Sequence, residues 1–73
     1  MTLQEAPEDV RRQLAAIRLA GGMHSPRPAD RLLIVNGQVA REGEAVAEGV
    51  MLEQIQPRSA IFRIRQHRIE VPF

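Results

Sequence analysis

The sequence of 73 residues contains no cysteine, lysine, tryptophan or tyrosine, and its only aromatic residues are Phe62 and Phe73. Without a thiol the chain can form no disulfide, and two isolated histidines cannot complete a four-ligand zinc site. A chain of this length buries only about 60% of the surface that it exposes when unfolded. Its stability must therefore come from apolar packing or from contact with a partner.

The sequence also lacks a strong excess of charge and a long apolar run. Ten arginines are opposed by nine carboxylates, which leaves a formal net charge of +1, whereas charge-driven nucleic-acid binding favours a larger surplus. No stretch approaches the roughly 18 residues of a membrane-spanning helix, and the first residues lack the pattern of a signal peptide. Because 44% of the residues are hydrophobic, we expect one folded domain.

The first predicted element is a short helix that begins near Pro7. Proline suits the first turn of a helix, because its missing N–H would be unpaired there in any case. Three apolar residues then recur at helical spacing and predict one buried stripe: Val10, Leu14 and Ile17. We expect the helix to end before Gly21-Gly22, and residues 17–19 fit either a helix or a strand.

The clearest local signal is Asn36-Gly37, which lies between two β-rich runs. This dipeptide favours a two-residue hairpin turn, because both central positions require positive φ. The implied register places Ile34 opposite Val39 and Leu33 opposite Ala40. Both faces of the strand before the turn are apolar, so we expect that strand to be covered on both sides.

The rest of the chain predicts a strand from Val50 to Gln56 and a C-terminal hairpin. Residues 42–44 are predicted to turn, and a polar connection then runs through residue 49. With Gln66-His67 as the turn of the last hairpin, the opposed pairs are Ile64 with Ile69, Phe62 with Val71, Arg63 with Glu70, and Arg65 with Arg68.

These elements predict a mainly β fold. One short N-terminal helix precedes five or six short strands, which form a small antiparallel two-sheet sandwich or barrel. We expect residues 7–73 to be a single domain, and residues 1–6 to be a disordered or cloning-derived start.

No combination of residues indicates catalysis. The two serines lie in predicted proline turns without a neighbouring base, while His24 and His67 fall singly at a strand end and a hairpin tip. The glycines are explained by turns and form no phosphate-binding loop. We therefore expect no enzymatic activity, no metal and no cofactor.

Two sets of residues are candidates for contact with a partner. The first is a segment of alternating apolar residues and two glycines beside a proline loop, which suits an edge strand open to strand addition, although its glycines could simply permit a bend: Ile17, Leu19, Gly21, Gly22, Met23 and His24. The second is a basic patch at the C-terminal hairpin, which could meet an acidic protein surface or be an ordinary solvated face: Arg63, Arg65 and Arg68, with Arg58 and His67.

Several short motifs occur in an order that is more specific than any one of them. They are Pro7 to Leu14, Leu19, Met23-His24-Ser25-Pro26 with Pro28 and Arg31, Leu33-Ile34-Val35-Asn36-Gly37, Arg41-Glu42-Gly43-Glu44, and Val50-Met51-Leu52-Glu53-Gln54-Ile55. Together they resemble the C-terminal periplasmic domain of the general secretion pathway protein B family, an accessory component of bacterial type II secretion. The resemblance extends over residues 7 to 72.

The resemblance implies a fold like the homology region of the type II secretion protein C family and like pilotin-like domains, with two small antiparallel sheets packed together. It implies a periplasmic domain of an inner-membrane protein, which meets the membrane only through an N-terminal anchor outside this sequence. The implied partners are the periplasmic domains of the outer-membrane secretin and a peptidoglycan-binding ATPase of the secretion system.

Our leading hypothesis is thus a non-catalytic interaction domain that helps to assemble or anchor the secretin, with a homodimer as an open oligomeric state and no nucleic-acid partner. One alternative is the homology-region domain of a type II secretion protein C-like component. An alternative of another class is a small arginine-rich barrel that binds nucleic acid.

Overall fold

The computed structural model describes all 73 residues and contains one α-helix and seven strands. The helix α1 spans Glu8–Ala15, and single 3₁₀ turns occur at Leu3–Glu5 and Pro28–Asp30. The strands are β1 (Leu19–Met23), β2 (Leu32–Val35), β3 (Gln38–Ala40), β4 (Ala45–Ala47), β5 (Val50–Ile55), β6 (Ser59–Ile64) and β7 (His67–Pro72).

The strands form two antiparallel sheets, each in the order of the chain. The first sheet contains β1, β2 and β3, and the second contains β4, β5, β6 and β7. Both sheets and the helix contribute to one buried apolar cluster: Ala6, Val10, Leu14, Leu33, Val35, Ala40, Val50, Leu52, Ile55, Ala60, Phe62, Ile64 and Ile69. The predicted mainly β, two-sheet architecture with one N-terminal helix is confirmed, whereas the predicted number of five or six strands is wrong.

The helix closes one end of the second sheet. Val10 and Leu14 are buried as predicted, while Ile17 lies beyond the end of α1 and is half-buried against the core. The helix contacts the two turns at this end, since Asp9 binds Arg65 and a Cβ placed on Gly49 would lie 3.7 Å from Nε2 of Gln13. No helix in the structure combines the length and the apolarity needed to cross a bilayer.

The hairpin of β2 and β3 has the predicted register. Ile34 lies opposite Val39 and Leu33 opposite Ala40, and the turn residues have φ angles of 52° at Asn36 and 79° at Gly37. The expectation that both faces of β2 are covered is wrong. Only Leu33 and Val35 are buried, whereas Leu32 and Ile34 on the other face are partly buried.

Strand β4 was not predicted. Residues 45–47 lie in the segment that was expected to be a polar connection, but they pair with the start of β5. The sequence Ala-Val-Ala has little apolar surface and is only three residues long, so its strand state depends on pairing with β5 rather than on its own propensity.

The predicted register of the last hairpin is wrong by two residues. The turn is Arg65-Gln66, and Arg63 lies opposite Arg68, not Glu70. Phe62 lies opposite Ile69, and Ile64 opposite His67. Arg65 adopts a φ of 56°, a left-handed conformation that costs an L-residue about 1 kcal/mol. We attribute the observed register to this conformation, because it permits a two-residue turn at that point.

The first six residues, which were expected to lie outside the domain, contact the edge of β7. The amino group of Met1 donates to the carbonyl of Arg68 at 2.9 Å, and the N–H of Glu70 donates to the carbonyl of Met1 at 2.8 Å. Thr2 forms a parallel bridge to Glu70, and Ala6 is buried in the core. This segment therefore adds a single parallel bridge to the edge of the second sheet.

An ion pair fixes the end of the molecule opposite to α1. Nη1 of Arg31 lies 3.2 Å from Oε2 of Glu42, and the two side chains are only 16% and 17% exposed. The same carboxylate oxygen accepts a hydrogen bond of 2.8 Å from the N–H of Ile55, and Nε of Arg31 donates to the carbonyl of Ser25. The pair joins the proline loop, the β3–β4 turn and the end of β5.

Candidate functional site

The predicted edge segment contains the open edge strand of the first sheet. Leu19, Gly21, Gly22 and Met23 all lie in β1, which pairs with β2 on one side and with no strand on the other. The segment extends beyond the strand at both ends, where Ile17 precedes β1 and the exposed His24 follows it. The structure thus brings four of the six candidate residues onto one edge.

Two backbone polar groups of β1 point away from the sheet. The N–H of Asn36 donates to the carbonyl of Arg18 at 2.9 Å, and the N–H of Arg18 donates to Oδ1 of Asn36 at 2.8 Å. The following pair, Leu19 and Val35, is therefore one that exchanges no hydrogen bonds across the ladder. It follows that the N–H and the carbonyl of Leu19 face the open edge.

The other sheet edges are shorter or already covered. Strands β3 and β4 have three residues each, and the edge of β7 is occupied in part by Met1 and Thr2. Strand β1 has five residues and carries neither a charge nor a proline, two of the devices that protect an edge from pairing, although its register shifts between Leu19 and Gly21 as in a β-bulge. Of the four edges, β1 is the longest with which no other segment of the chain pairs.

Gly22 allows a close contact between β1 and the end of the chain. A Cβ on this residue would lie 2.9 Å from Cδ1 of Leu33 and 3.1 Å from Cζ of Phe73, too near for a larger side chain without displacement. The neighbouring Met23 is 57% exposed. The glycine therefore has a packing role, and the apolar side chain beside it remains accessible.

The predicted basic patch lies on the other sheet. Arg63 and Arg68 face each other across β6 and β7 on the outer face of the second sheet, while Arg65 is at the hairpin tip. Nε of Arg68 donates to a carboxylate oxygen of Glu53 at 2.9 Å. Because the two predicted sets occupy different sheets, the structure does not unite them into one site.

Arg65 is paired with Asp9 at the start of α1. The hydrogen bond from the guanidinium lowers the pKa of the Asp9 carboxyl below its ordinary value of 3.8. The pKa of Glu5 is also lowered, because its carboxylate accepts hydrogen bonds from the backbone N–H and the hydroxyl of Thr2. Both groups belong to the N-terminal segment and the helix start, so they hold that part of the domain in place.

The Asp9 contact predicts a pH dependence of stability. Since the folded state lowers the pKa, the stabilisation is complete above the ordinary value of 3.8 and is lost as the pH falls through the lowered value. We expect Asp9→Asn to be less stable than the wild type at neutral pH and equal to it near about pH 2, as measured by urea unfolding. Arg65→Gln should reproduce the loss at neutral pH, and a difference for Asp9→Asn that persists in acid would contradict the assignment.

The remaining polar candidates have structural contacts. Oγ of Ser59 lies 2.7 Å from side-chain oxygens of both Gln56 and Glu70, and Oγ of Ser25 accepts a hydrogen bond from the N–H of Arg27. No group of three or more His, Asp or Glu side chains is placed to hold a metal ion.

Two residues beside the basic patch were not singled out from the sequence. Met51 and Ala45 lie in the same cross-strand row as Arg63, and Met51 is 43% exposed. A methionine at an outward position of an alternating strand was the available signal. It was missed because β4, whose Ala45 lies opposite Met51, was not predicted.

Comparison with known proteins gives two findings. The family model described as Type II secretion system protein B matches residues 16–73, a range that contains all seven strands. The crystal structure of GspB from the type 2 secretion system of Dickeya dadantii is similar to this chain with a TM-score of 0.73 and 25% sequence identity, covering 77% of this chain and 67% of that one. No curated protein matches the sequence.

Proposed function

This chain belongs to the type II secretion system protein B family, and from that premise we propose that it is a non-catalytic periplasmic interaction domain that helps to assemble or anchor the outer-membrane secretin. The family assignment made from the order of the sequence motifs is confirmed. The likeness to GspB supports the choice of protein B over a protein C-like component, since both comparisons point to the same family.

The observation that carries the mechanism is the open edge of β1. In the proposal, a strand from a periplasmic domain of the secretin pairs with this edge and extends the first sheet. Main-chain hydrogen bonds would supply affinity, and the exposed side chain of Met23 would add an apolar contact. The outward N–H and carbonyl of Leu19 are the first groups available for that pairing.

The second proposed partner is the peptidoglycan-binding ATPase of the secretion system. The same edge can serve only one strand at a time, so the secretin and the ATPase would compete if both used β1. The proposal places the domain in the periplasm, where an N-terminal anchor outside this sequence would connect it to the inner membrane.

The proposal is tested by a pull-down with purified periplasmic domains of the secretin and, separately, of the partner ATPase. We expect retention of at least one of them at a protein concentration of about 100 µM, which is well above the dissociation constants of specific complexes. If neither is retained at that concentration, the proposed function is wrong. Increasing salt provides a second criterion, because strand addition depends far less on ionic strength than phosphate binding does.

Proline at the edge strand tests the mechanism separately from the function. Leu19→Pro removes an N–H that faces outward, so the β1–β2 ladder is preserved while pairing with an added strand is blocked. We expect partner binding to fall at least about tenfold, the effect of roughly one lost hydrogen bond with its unpaired acceptor.

Leu19→Ala is the matched control, because it loses the same side chain but keeps the N–H. We expect it to bind its partner nearly as the wild type does, and far-ultraviolet circular dichroism should show that both variants are folded. Equal weakening by alanine and proline would mean that the side chain, and not the strand edge, makes the contact.

A further inference from the structure

The outer face of the second sheet presents a row of side chains across all four strands. Ala45 on β4 lies opposite Met51 on β5, Met51 opposite Arg63 on β6, and Arg63 opposite Arg68 on β7. All four side chains are exposed. The row begins with two apolar groups and ends with two cations, so this face combines apolar surface with positive charge.

A groove lies along the β4 side of this row. It has a volume of about 310 Å³ and is open along one side, between the β4–β5 turn and the tip of the last hairpin. Its lining residues are Ala45, Gly49, Val50, Met51, Arg63 and Arg65. This volume is at the lower end of the range for ligand sites, so it suits a few groups of an extended chain rather than a large cofactor.

The arginines around the groove differ in whether a carboxylate of the domain neutralises them. Arg65 is paired with Asp9, and the neighbouring Arg68 is paired with Glu53. Arg63 has no carboxylate within 4.0 Å, and its only hydrogen bond goes from Nε to the carbonyl of Arg65 at 3.3 Å. None of the lining residues is acidic. The groove therefore contains one guanidinium whose counter-charge is not supplied by the domain.

We propose that this groove binds an extended acidic segment of a partner protein, with a carboxylate on Arg63 and an adjacent apolar side chain on Met51. A guanidinium presents parallel N–H donors that match the two oxygens of a carboxylate. The thioether of Met51 is flexible and adapts to differently shaped apolar groups. The surface lies on the second sheet, away from the β1 edge, and the proposal does not depend on the proposed function.

A protein segment fits this chemistry better than a nucleic acid does. Only one cation of the groove is free, whereas nucleic-acid sites use several basic residues to follow the phosphate backbone. The lining also contains no aromatic residue on which a base could stack. One carboxylate beside one apolar group is the smallest ligand that satisfies both the free arginine and the exposed methionine.

The experiment is a titration of the 73-residue domain, followed by amide chemical shifts in a heteronuclear correlation spectrum. The probe is the peptide acetyl-Leu-Glu-Leu-amide, and its control is acetyl-Leu-Gln-Leu-amide, each up to about 5 mM because short peptides bind weakly. We expect the acidic peptide to shift the amides of Gly49, Met51 and Arg63, and the neutral peptide to leave them unchanged. Equal shifts with both peptides would overturn the proposal.

Two variants complete the test. Arg63→Gln should raise the dissociation constant of the acidic peptide at least about tenfold, as loss of a charged hydrogen-bond donor does. The matched control is Arg11→Gln, which removes an exposed arginine of α1 that also has no carboxylate partner. Unchanged binding by Arg63→Gln, or equal weakening by Arg11→Gln, would overturn the proposal.

The same spectra test other occupants of the groove. A single-stranded oligonucleotide that shifts these amides more strongly than the acidic peptide would overturn the choice of a protein ligand. Shifts that appear on concentrating the domain alone would instead assign the surface to a second copy of this chain. Secretin binding by the Arg63→Gln variant, measured in the pull-down, separates failure of the groove from failure of the proposed function.

Discussion

Replacing Phe62 with alanine is expected to lower the free energy of unfolding by about 3–5 kcal/mol. Phe62 is 1% exposed and is the largest fully buried side chain, between Leu52 on β5 and Ile69 on β7. The loss combines the transfer of the ring out of the core with the cavity that remains, since neighbouring strands can collapse only in part. At about 0.05–0.15 kcal/mol per residue, a domain of this size has a total stability of about 4–11 kcal/mol, so the loss is a large fraction of it.

Urea unfolding followed by circular dichroism measures this effect, and two further variants make it interpretable. Phe62→Leu should lose much less, because most of the apolar volume is retained. Val39→Ala, at a position that is 57% exposed on the first sheet, should change the stability by less than about 0.5 kcal/mol. Similar losses for Phe62→Ala and Val39→Ala would show that the core does not have the packing described above.

Removal of the Glu42 carboxylate is expected to cost about 2–4 kcal/mol, the second largest effect. Glu42→Ala leaves the largely buried guanidinium of Arg31 without its counter-charge and the N–H of Ile55 without its acceptor. Burial makes such a loss expensive, because neither group regains full hydration in the folded state. The ends of the proline loop and of β5 should then loosen together, which amide hydrogen exchange would detect.

The graded variants distinguish the charge from the hydrogen bond. Glu42→Gln keeps an oxygen for the N–H of Ile55 and should lose less than Glu42→Ala. The exposed pair of Arg12 and Glu8 is the control, since both side chains are more than three-quarters exposed and Glu8→Ala should cost below about 0.5 kcal/mol. If Glu8→Ala costs as much as Glu42→Ala, the burial of the Arg31–Glu42 pair has no energetic role.

The parts of the fold that the sequence predicts are those with a local cause. The hairpin at Asn36-Gly37 was predicted with its register, because the two turn residues tolerate positive φ and the strands pair directly from the turn. The helix after Pro7 was predicted for a similar reason, since Val10 and Leu14 repeat at its period.

The register of the last hairpin could not be obtained in this way. A shift by two residues leaves every side chain on the same face, so the inward positions of Phe62, Ile64 and Ile69 fit both registers. The turn decides between the two registers, and arginine at position 65 is not a residue type that predicts a positive φ. Strand β4 was missed because its pairing partner, and not its composition, determines its state.

The same distinction between local causes and distant contacts applies to the candidate site. The alternating apolar residues and two glycines between Ile17 and His24 predicted an edge strand, and β1 is at the edge of the first sheet. Which arginines of the basic patch are paired with carboxylates was not predictable, because Asp9 and Arg65 are 56 residues apart in the chain and Glu53 and Arg68 are 15 apart. Only the folded arrangement reveals that Arg63 is the arginine of this hairpin tip and sheet face whose charge is unmatched.

The parallel contact between Met1 and β7 has a mechanical consequence. A pull on Met1 and Phe73 in opposite directions acts along β7 and the N-terminal residues beside it, because the two run in the same direction. The hydrogen bond that Met1 donates to Arg68 and the one that it accepts from Glu70 lie across that direction, so they would bear the tension together and not break one after another. The domain should therefore resist stretching between its ends more strongly than its small core would suggest.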